Sequence, residues 1–442
     1  MHVPRRLLPF LALVLLLSAC APFGSSSSDP VVSSTPTQKA TNTISPSPTS
    51  TAIAVCPASL GTNCRTPYDM RVAYSVQSLL ERGFTGKGQT IVDIVSYGSP
   101  TLQQDMDTFD QQFGLPPITI NVLSPLGTKP VDHPTTKDLA GWAGETTLDV
   151  QIIHAIAPDA GIVVLTSPVD ETEGTIGLPE FLQLEQYALT HHLGNIISQS
   201  FGASEVTLND PAGRQEIQKW DAFFKQATTQ QGITFFASSG DGGATDYADL
   251  QATKLSPVAT TSFPTDDPWV TSVGGTALER NGTAFQETAW SMSGGGFSSF
   301  FATPSYQQNL PATVQNLLNH RRGVPDIAGD ADPATGLAFY SGGQWNLAGG
   351  TSASAPLWAA FMAIANQMAG HPLGFINPTL YKLAASSAYT QDFHDITIGD
   401  NSVNGGVQVQ GYPAVPGWDP VTGLGTPVLD KLLPDLIASI HG

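Results

Sequence analysis

The sequence is poor in basic residues. Lys and Arg number 18 among 442 residues, against 37 Asp and Glu, for a formal net charge of −19. So acidic a chain excludes phosphate backbones and anionic lipid surfaces as electrostatic partners, and nucleic acid with them. The surplus of acid fits a protein that works where carboxyls are neutral, and equally one kept soluble by charge. Cysteine is scarcer still. Cys20, Cys56 and Cys64 are the only three, too few for a disulfide-built scaffold. CPASLGTNC also lacks the further ligands of a zinc site. No internal repeat is present, which excludes solenoids and propellers. Long apolar runs are missing too: LLPFLALVLLLSA at 7–19 is too short to span a bilayer.

What stands at the N-terminus is a targeting segment. Arg5 and Arg6 precede the apolar run, which ends in Leu17-Ser18-Ala19-Cys20. This resembles a bacterial lipoprotein processing box. It implies cleavage before Cys20, a lipid on its thiol, and a place on the outer face of a bacterial membrane or in the medium. Residues 21–55 are dominated by Ser, Thr and Pro, with Asp29 and Lys39 as their only charges. Such a segment buries too little apolar surface to offset chain entropy and reads as a tether. In an exported chain Cys56 and Cys64 read as a small-loop disulfide, with two unrelated thiols as the alternative. Residues 56–442 then form the folded domain, with 41% of the chain hydrophobic and 43 glycines to supply turns.

Apolar runs alternate with helical periods through that domain. TIVDIVSY (90–97), ITINVL (118–123), GIVVLTS (161–167), NIISQSF (195–201) and ITFFASS (233–239) read as strands. The segments 100–114, 144–158, 180–192, 212–232, 352–369, 376–386 and 427–441 read as helices, and 265–350 gives no clear period. The alternation predicts an α/β fold with a mainly parallel sheet. Strands apolar on both faces predict helices on both sides.

Three motifs carry chemistry. GGTSASAP (349–356) sets Ser352 at the start of an apolar helix, where it is either a nucleophile or a helix cap. A serine nucleophile needs a base, yet none of the nine histidines lies in a His-Gly-Thr motif, and the turn after the first strand reads VSYGSP instead of Asp-Thr-Gly. In GETTLDVQIIHAIAP (144–158), Glu145 and Asp149 share one helix face. Like charges at that spacing repel. Two acids on a mostly apolar helix are explained by a shared proton, or else by an exposed acidic face. In FFASSGDGGATD (235–246), Asp241 follows a buried strand, where it is either a turn former or a protonated donor to an oxyanion.

In their order and spacing, GETTLD, SSGDGG and GGTSASAP resemble the sedolisin family of serine-carboxyl peptidases. RTPYDMRVAYSV, APDAGIVV, GGGFSSFFATPSYQ (294–307), RRGVPDIAGDADPATG (321–336) and GWDPVTGLGTP (417–427) match it too, so the resemblance runs from Arg65 to the C-terminus. It implies a subtilisin-like fold and a peptidase working in acid. Ser352 is then the nucleophile, Glu145 the general base, Asp149 the acid that orients Glu145, and Asp241 the oxyanion-hole acid beside the Ser352 N–H. It also implies one Ca²⁺ in a C-terminal loop region, held by the Asp395 and Asp419 side chains and the carbonyls of Ile396, Val415 and Gly417. Hard oxygen donors of this kind suit calcium. The expected partners are protein or peptide substrates, met as a monomer, with membrane contact only through Cys20. The chain departs from the family in three places. A tether stands where a large prodomain is usual, Phe201 replaces a frequent tryptophan, and the neighbourhood of Tyr97 lacks an extra glutamate that some members add to the acid network. The rival readings are a Ser-His peptidase served by His154 or another histidine, and a non-catalytic surface module on the same fold.

Overall fold

A computed structural model describes residues 55–61 and 64–440, all within one compact unit spanning 54–442. Cys20 and residues 21–54 of the tether lie outside the described residues.

The short β-branched runs build a single central sheet. Its strands are β1 (Thr90–Ser96), β2 (Asn121–Leu123), β3 (Gly161–Ser167), β4 (Ile196–Gln199), β5 (Thr234–Ser238), β6 (Thr271–Asn281), β7 (Ala284–Ala289) and β8 (Ile327–Asp330). The spatial order is β8-β6-β5-β4-β1-β3-β2, and β7 pairs with β6 off this path. All pairs along the path are parallel, while β7 runs antiparallel to β6.

Seven helices frame the sheet: α1 (Leu102–Phe113), α2 (Thr136–Ile156), α3 (Leu178–Thr190), α4 (Pro211–Gln231), α5 (Thr351–Ala369), α6 (Asn377–Ala384) and α7 (Leu429–Ile440). Successive strand residues point to opposite faces. On β1, Ile91 and Val95 enter the core with α2 and α5, and Val92 and Ile94 enter a second core with α3 and α4. Both sheet faces are therefore covered, as the uniformly apolar strands require.

Two boundaries moved from the sequence reading. The strand expected at 118–123 is ordered as strand only over Asn121–Leu123, at the sheet edge. The helix expected at 144–158 begins at Thr136, because Thr135 and Asp138 form a reciprocal capping box that outweighs Gly141 and Gly144. The unparsed region 265–350 supplies β6, β7 and β8. Cys56 and Cys64 form the expected disulfide, with an S–S distance of 2.09 Å. Among the described residues no helix is long and apolar enough to cross a membrane.

Candidate active site

The first turn of α5 carries Ser352, half-buried, one residue after Thr351. Gly350 precedes the helix at φ +83°, a left-handed conformation that glycine adopts without strain. A Cβ on Gly350 would stand 2.4 Å from Asp241 Oδ2. The glycine thus lets the Asp241 carboxyl reach the helix N-terminus, where Thr351 N–H (2.7 Å) and Thr351 Oγ (3.0 Å) donate to Asp241 Oδ1. Asp241 follows β5, at the C-terminal edge of the parallel sheet where sites gather in such folds.

One more backbone detail fixes Ser352. The carbonyl of a helical residue normally accepts from the N–H four residues on, and here that residue is Pro356, which has none. The Ser200 hydroxyl, just past β4, lies 3.2 Å from that carbonyl and 3.0 Å from Asp149 Oδ1. It ties the Ser352 backbone to the acidic helix.

That helix is α2. Asp138, Trp142, Glu145 and Asp149 form one stripe along it, at helical spacings of three and four. The stripe runs from the half-buried Asp138 to Asp149, which has no exposed surface. Glu145 meets the Ser352 hydroxyl. Burial pushes the Glu145 carboxyl up to about 7, hydrogen bonding from Ser352 draws it back, and the charge of Asp241 pushes it further. Asp149 is held well above the usual carboxylate range by burial, then by the charges of Asp93 and Glu145.

Asp93 was not singled out from the sequence. Its position between Ile91 and Val95 on β1 turns it toward α2, by the period of two that buries its neighbours. It is wholly buried and interacts with Asp149 side chain to side chain, and burial pushes it up to about 8. Neither Asp93 oxygen nor Asp149 Oδ2 has a donor from elsewhere. One proton shared between the two carboxyls gives Asp149 Oδ2 and one Asp93 oxygen a partner, since two bare carboxylates in contact would repel in a dry site. The acid network that seemed to lack a member near Tyr97 is therefore extended four residues earlier. A lone Asp inside an apolar strand was the available signal.

Asp241 stands at the cleft mouth within reach of solvent. Burial against the surrounding protein still raises its carboxyl, against the pull of both Thr351 hydrogen bonds. Ser352, Glu145, Asp149 and Asp241 thus converge on one cleft. His154 does not. It lies nine residues beyond Glu145 on α2, fully buried, with Nε2 2.8 Å from the Pro116 carbonyl and 3.3 Å from Asp110. The Ser-His alternative through His154 has no geometric basis, and among the described residues no histidine lines the cleft at Glu145.

Hydrogen bonds join the loops that carry four of the expected cation residues, Asp395, Val415, Gly417 and Asp419. Gly417 N–H donates to both oxygens of Asp395 at 3.1 Å, and Val415 N–H donates to Asp419 Oδ2 at 3.1 Å. Asp419 has no exposed surface and is raised to about 7 by burial, against hydrogen bonds from Thr422, Val421 and Val415. Among the described residues no ion pair reaches either carboxyl. No three Asp, Glu, His or Cys side chains cluster there, so a cation would need backbone carbonyls as well. Two carboxylates without basic partners, on loops that also offer carbonyls, fit a hard cation.

A serine at a helix N-terminus, served by carboxyls in place of imidazole, defines a serine-carboxyl site on a subtilisin-like α/β fold. Kumamolisin from Bacillus sp. (strain MN-32) is 34% identical over 383 residues, covering 85% of this chain and 64% of that protein. Tripeptidyl-peptidase 1 of Canis lupus familiaris is 33% identical over 316 residues, covering 67% of this chain and 52% of that protein. The solved structure of Pseudomonas sedolisin, a serine-carboxyl proteinase complexed with two molecules of pseudo-iodotyrostatin, superposes with a TM-score of 0.70 at 27% identity, over 84% of this chain and 97% of that one. The chain belongs to the sedolisin family. It spans just under two thirds of kumamolisin and about half of tripeptidyl-peptidase 1. No family model matches the sequence.

The contact at Gly350 has a testable consequence. Gly350→Ala adds a Cβ where the Asp241 carboxyl now lies, on a backbone that L-residues rarely adopt. Activity is expected to fall about 100-fold, the size of losing one oxyanion-side donor. The Tm should fall by only a few degrees, because α5 itself stays buried; a variant with unchanged kcat would show that Asp241 does not depend on this contact.

Proposed function

We propose that this chain is a peptidase that cleaves peptide bonds through an acyl-enzyme on Ser352. The observation that carries the reading is the Ser352 hydroxyl meeting Glu145 at the head of a buried carboxyl chain. Glu145 takes the hydroxyl proton as Ser352 attacks the carbonyl carbon, then returns it to the leaving amine. Asp149, tied to Ser200 and Asp93, orients Glu145 and holds the shared proton. Asp241, when protonated, donates to the developing oxyanion together with the Ser352 N–H, which the helix N-terminus leaves free.

This division of labour sets the pH dependence. Glu145 must be ionised and Asp241 neutral. While Asp241 is neutral, its contribution to the rise at Glu145 vanishes, so the competent state favours itself. Activity should trace a bell whose maximum lies on the acid side of neutrality, between the raised value of Asp241 and the value of about 7 at Glu145. A pH–rate profile on a peptide substrate checks this, and a rate that keeps rising above neutrality would refute the carboxylate base.

Calcium is part of the proposal. Asp395 and Asp419 would hold one Ca²⁺ with the carbonyls of Ile396, Val415 and Gly417, neutralising two unpaired carboxylates and pinning the 395 and 415–419 loops. Chelation of the purified protein should lower Tm by several degrees, with recovery on adding Ca²⁺ and not on adding Na⁺. Indifference of Tm to chelator would remove the ion. Export and anchoring through a lipid on Cys20 complete the reading, supported by the residues around it. Intact-mass measurement of membrane-extracted protein tests that step.

A further inference from the structure

Away from the catalytic groups, a second pair of buried carboxyls is in contact. It stands at the end of the segment 200–205, which runs from Ser200 past Phe201 and Gly202, on the wall of the cleft, to Glu205. Ala203–Ser204 pairs antiparallel with Ser262–Phe263, and the Glu205 N–H donates to the Thr261 carbonyl at 3.0 Å. The Glu205 side chain is 3% exposed and reaches the strand Gly296–Ala302, whose pairing with Arg321–Val324 shifts register between Phe297 and Ala302. There it accepts from the Ser298 hydroxyl and from the N–H groups of Ser299 (2.8 and 3.0 Å) and Phe300 (3.4 Å), which the irregularity leaves without a strand partner. Asp266 meets it from the turn after Ser262–Phe263. Asp266 has no exposed surface and is hydrogen-bonded to Glu205, and the hydroxyls of Thr261 (3.4 Å) and Ser298 also reach it. Its Oδ1 has no partner.

The donors say where the proton lies. Backbone N–H groups supply Glu205 and suit a carboxyl that only accepts. Among the described residues no N–H group donates to Asp266. Asp266 is therefore the member that carries the proton and donates it to Glu205. Burial holds Asp266 well above the usual carboxylate range, and the charge of Glu205 adds to the rise. The surroundings offer no cation to replace that proton. Asp267 is the next residue, backed by Asp221 of α4. Glu173 accepts from the Ser204 N–H at 2.9 Å, and Asp246 from the Ser262 hydroxyl. Arg322 is bound to Asp326, while Arg214 of α4 lies over the Phe300 ring and donates to Asn209. We propose that the Glu205–Asp266 pair is a pH-operated latch on the cleft wall, whose shared proton fastens the segment 200–205 to the turn at 261–266 and whose loss frees it. Ser200 lies on that segment, so its hydrogen bonds to Asp149 and to the Ser352 carbonyl loosen with it. This consequence for activity rests on the peptidase reading; the latch itself does not. An unfolded Asp ionises near about 3.9. The latch is therefore fully closed below that value and opens as pH rises through the higher folded one.

Hydrogen exchange of the whole protein tests it, read by mass spectrometry on peptides covering 200–206 and 296–302 and corrected for the intrinsic effect of pH on exchange. Protection of both segments is expected to fall about tenfold or more between pH 4 and pH 7.5, while peptides from β1 and α5 change less. Asp266→Asn presents an N–H donor to Glu205 at every pH, and Glu205→Gln presents one to the Asp266 carboxylate. In each variant the fall should shrink to below about twofold, because two like charges no longer meet. With its donor kept, Asp266→Asn should retain kcat/KM at pH 4 within about threefold of the unaltered protein. If one variant fails to fold, the other carries the comparison. Protection that falls no more in these two segments than in β1, or that falls equally in the unaltered protein and in the folded variants, overturns the latch. Neither result touches the assignment of Ser352, which is read from peptide hydrolysis.

Discussion

Ser352→Ala is expected to abolish peptide hydrolysis, with a loss on the order of 10⁴- to 10⁶-fold in kcat, and to leave the fold in place. Alanine keeps the backbone N–H that faces the oxyanion and is the best helix former, so α5 loses nothing in its first turn. What disappears is the hydroxyl that meets Glu145. No neighbouring group substitutes for it: Ser200 is bound to Asp149 and to the Ser352 carbonyl, and Ser354 donates to the Gly329 carbonyl at 3.1 Å. Residual activity in the variant, measured after an unfolding scan shows the same Tm, would sink the assignment of Ser352. Trapping with a peptide aldehyde reads the same atom independently, through a covalent adduct at acid pH that the alanine variant cannot form.

The second large effect is on stability. Tm is expected to fall on the order of 10 °C between pH 4 and pH 8. The cause is a population of buried carboxyls held in the neutral form. Glu173 is raised to about 7, first by burial and then by the charge of Asp246. Glu171, Glu185, Asp267 and Asp330 are raised well above their usual range, in each case chiefly by burial. A carboxyl whose folded pKa exceeds its unfolded one binds its proton more tightly in the native state. Its stabilisation is complete below the unfolded value, near 4.5, and is lost as pH rises through the folded one. For Glu173 the window runs to about 7, and the loss is about 2–3 kcal/mol after allowing for screening. Against total stabilities of about 5–15 kcal/mol, a few such groups decide whether the domain survives neutrality. Thermal unfolding across that range is the measurement, and a Tm that is flat or rises with pH would contradict it. A domain fit for acid is thus encoded in its core as well as in the groups proposed to act on substrate.

Much of this was legible in the residues. Uniformly apolar strands such as GIVVLTS have no polar face to leave in water, so they imply a covered parallel sheet. Helices α1, α3, α4 and α5 fell within a few residues of their expected spans, because their apolar periods are long and their ends carry glycine or proline. The region 265–350 was opaque, since β6, β7 and β8 owe their pairing to partners far away in sequence. Asp93 was missed for a related reason. A single acid in a strand says nothing until the strand's register and the covering helix are known.

The sequence by itself determined which groups are available. It supplied a serine on a glycine turn before an apolar helix, two acids four residues apart, and an acid following a strand. Those are local facts of composition and spacing. The tertiary structure decided their state. Packing α2 against β1 brings Asp149 onto Asp93 and removes water from both, and Pro356 frees a carbonyl that Ser200, from another strand, takes up. Proton affinity depends on burial and on neighbouring charge, and both are properties of the assembled fold.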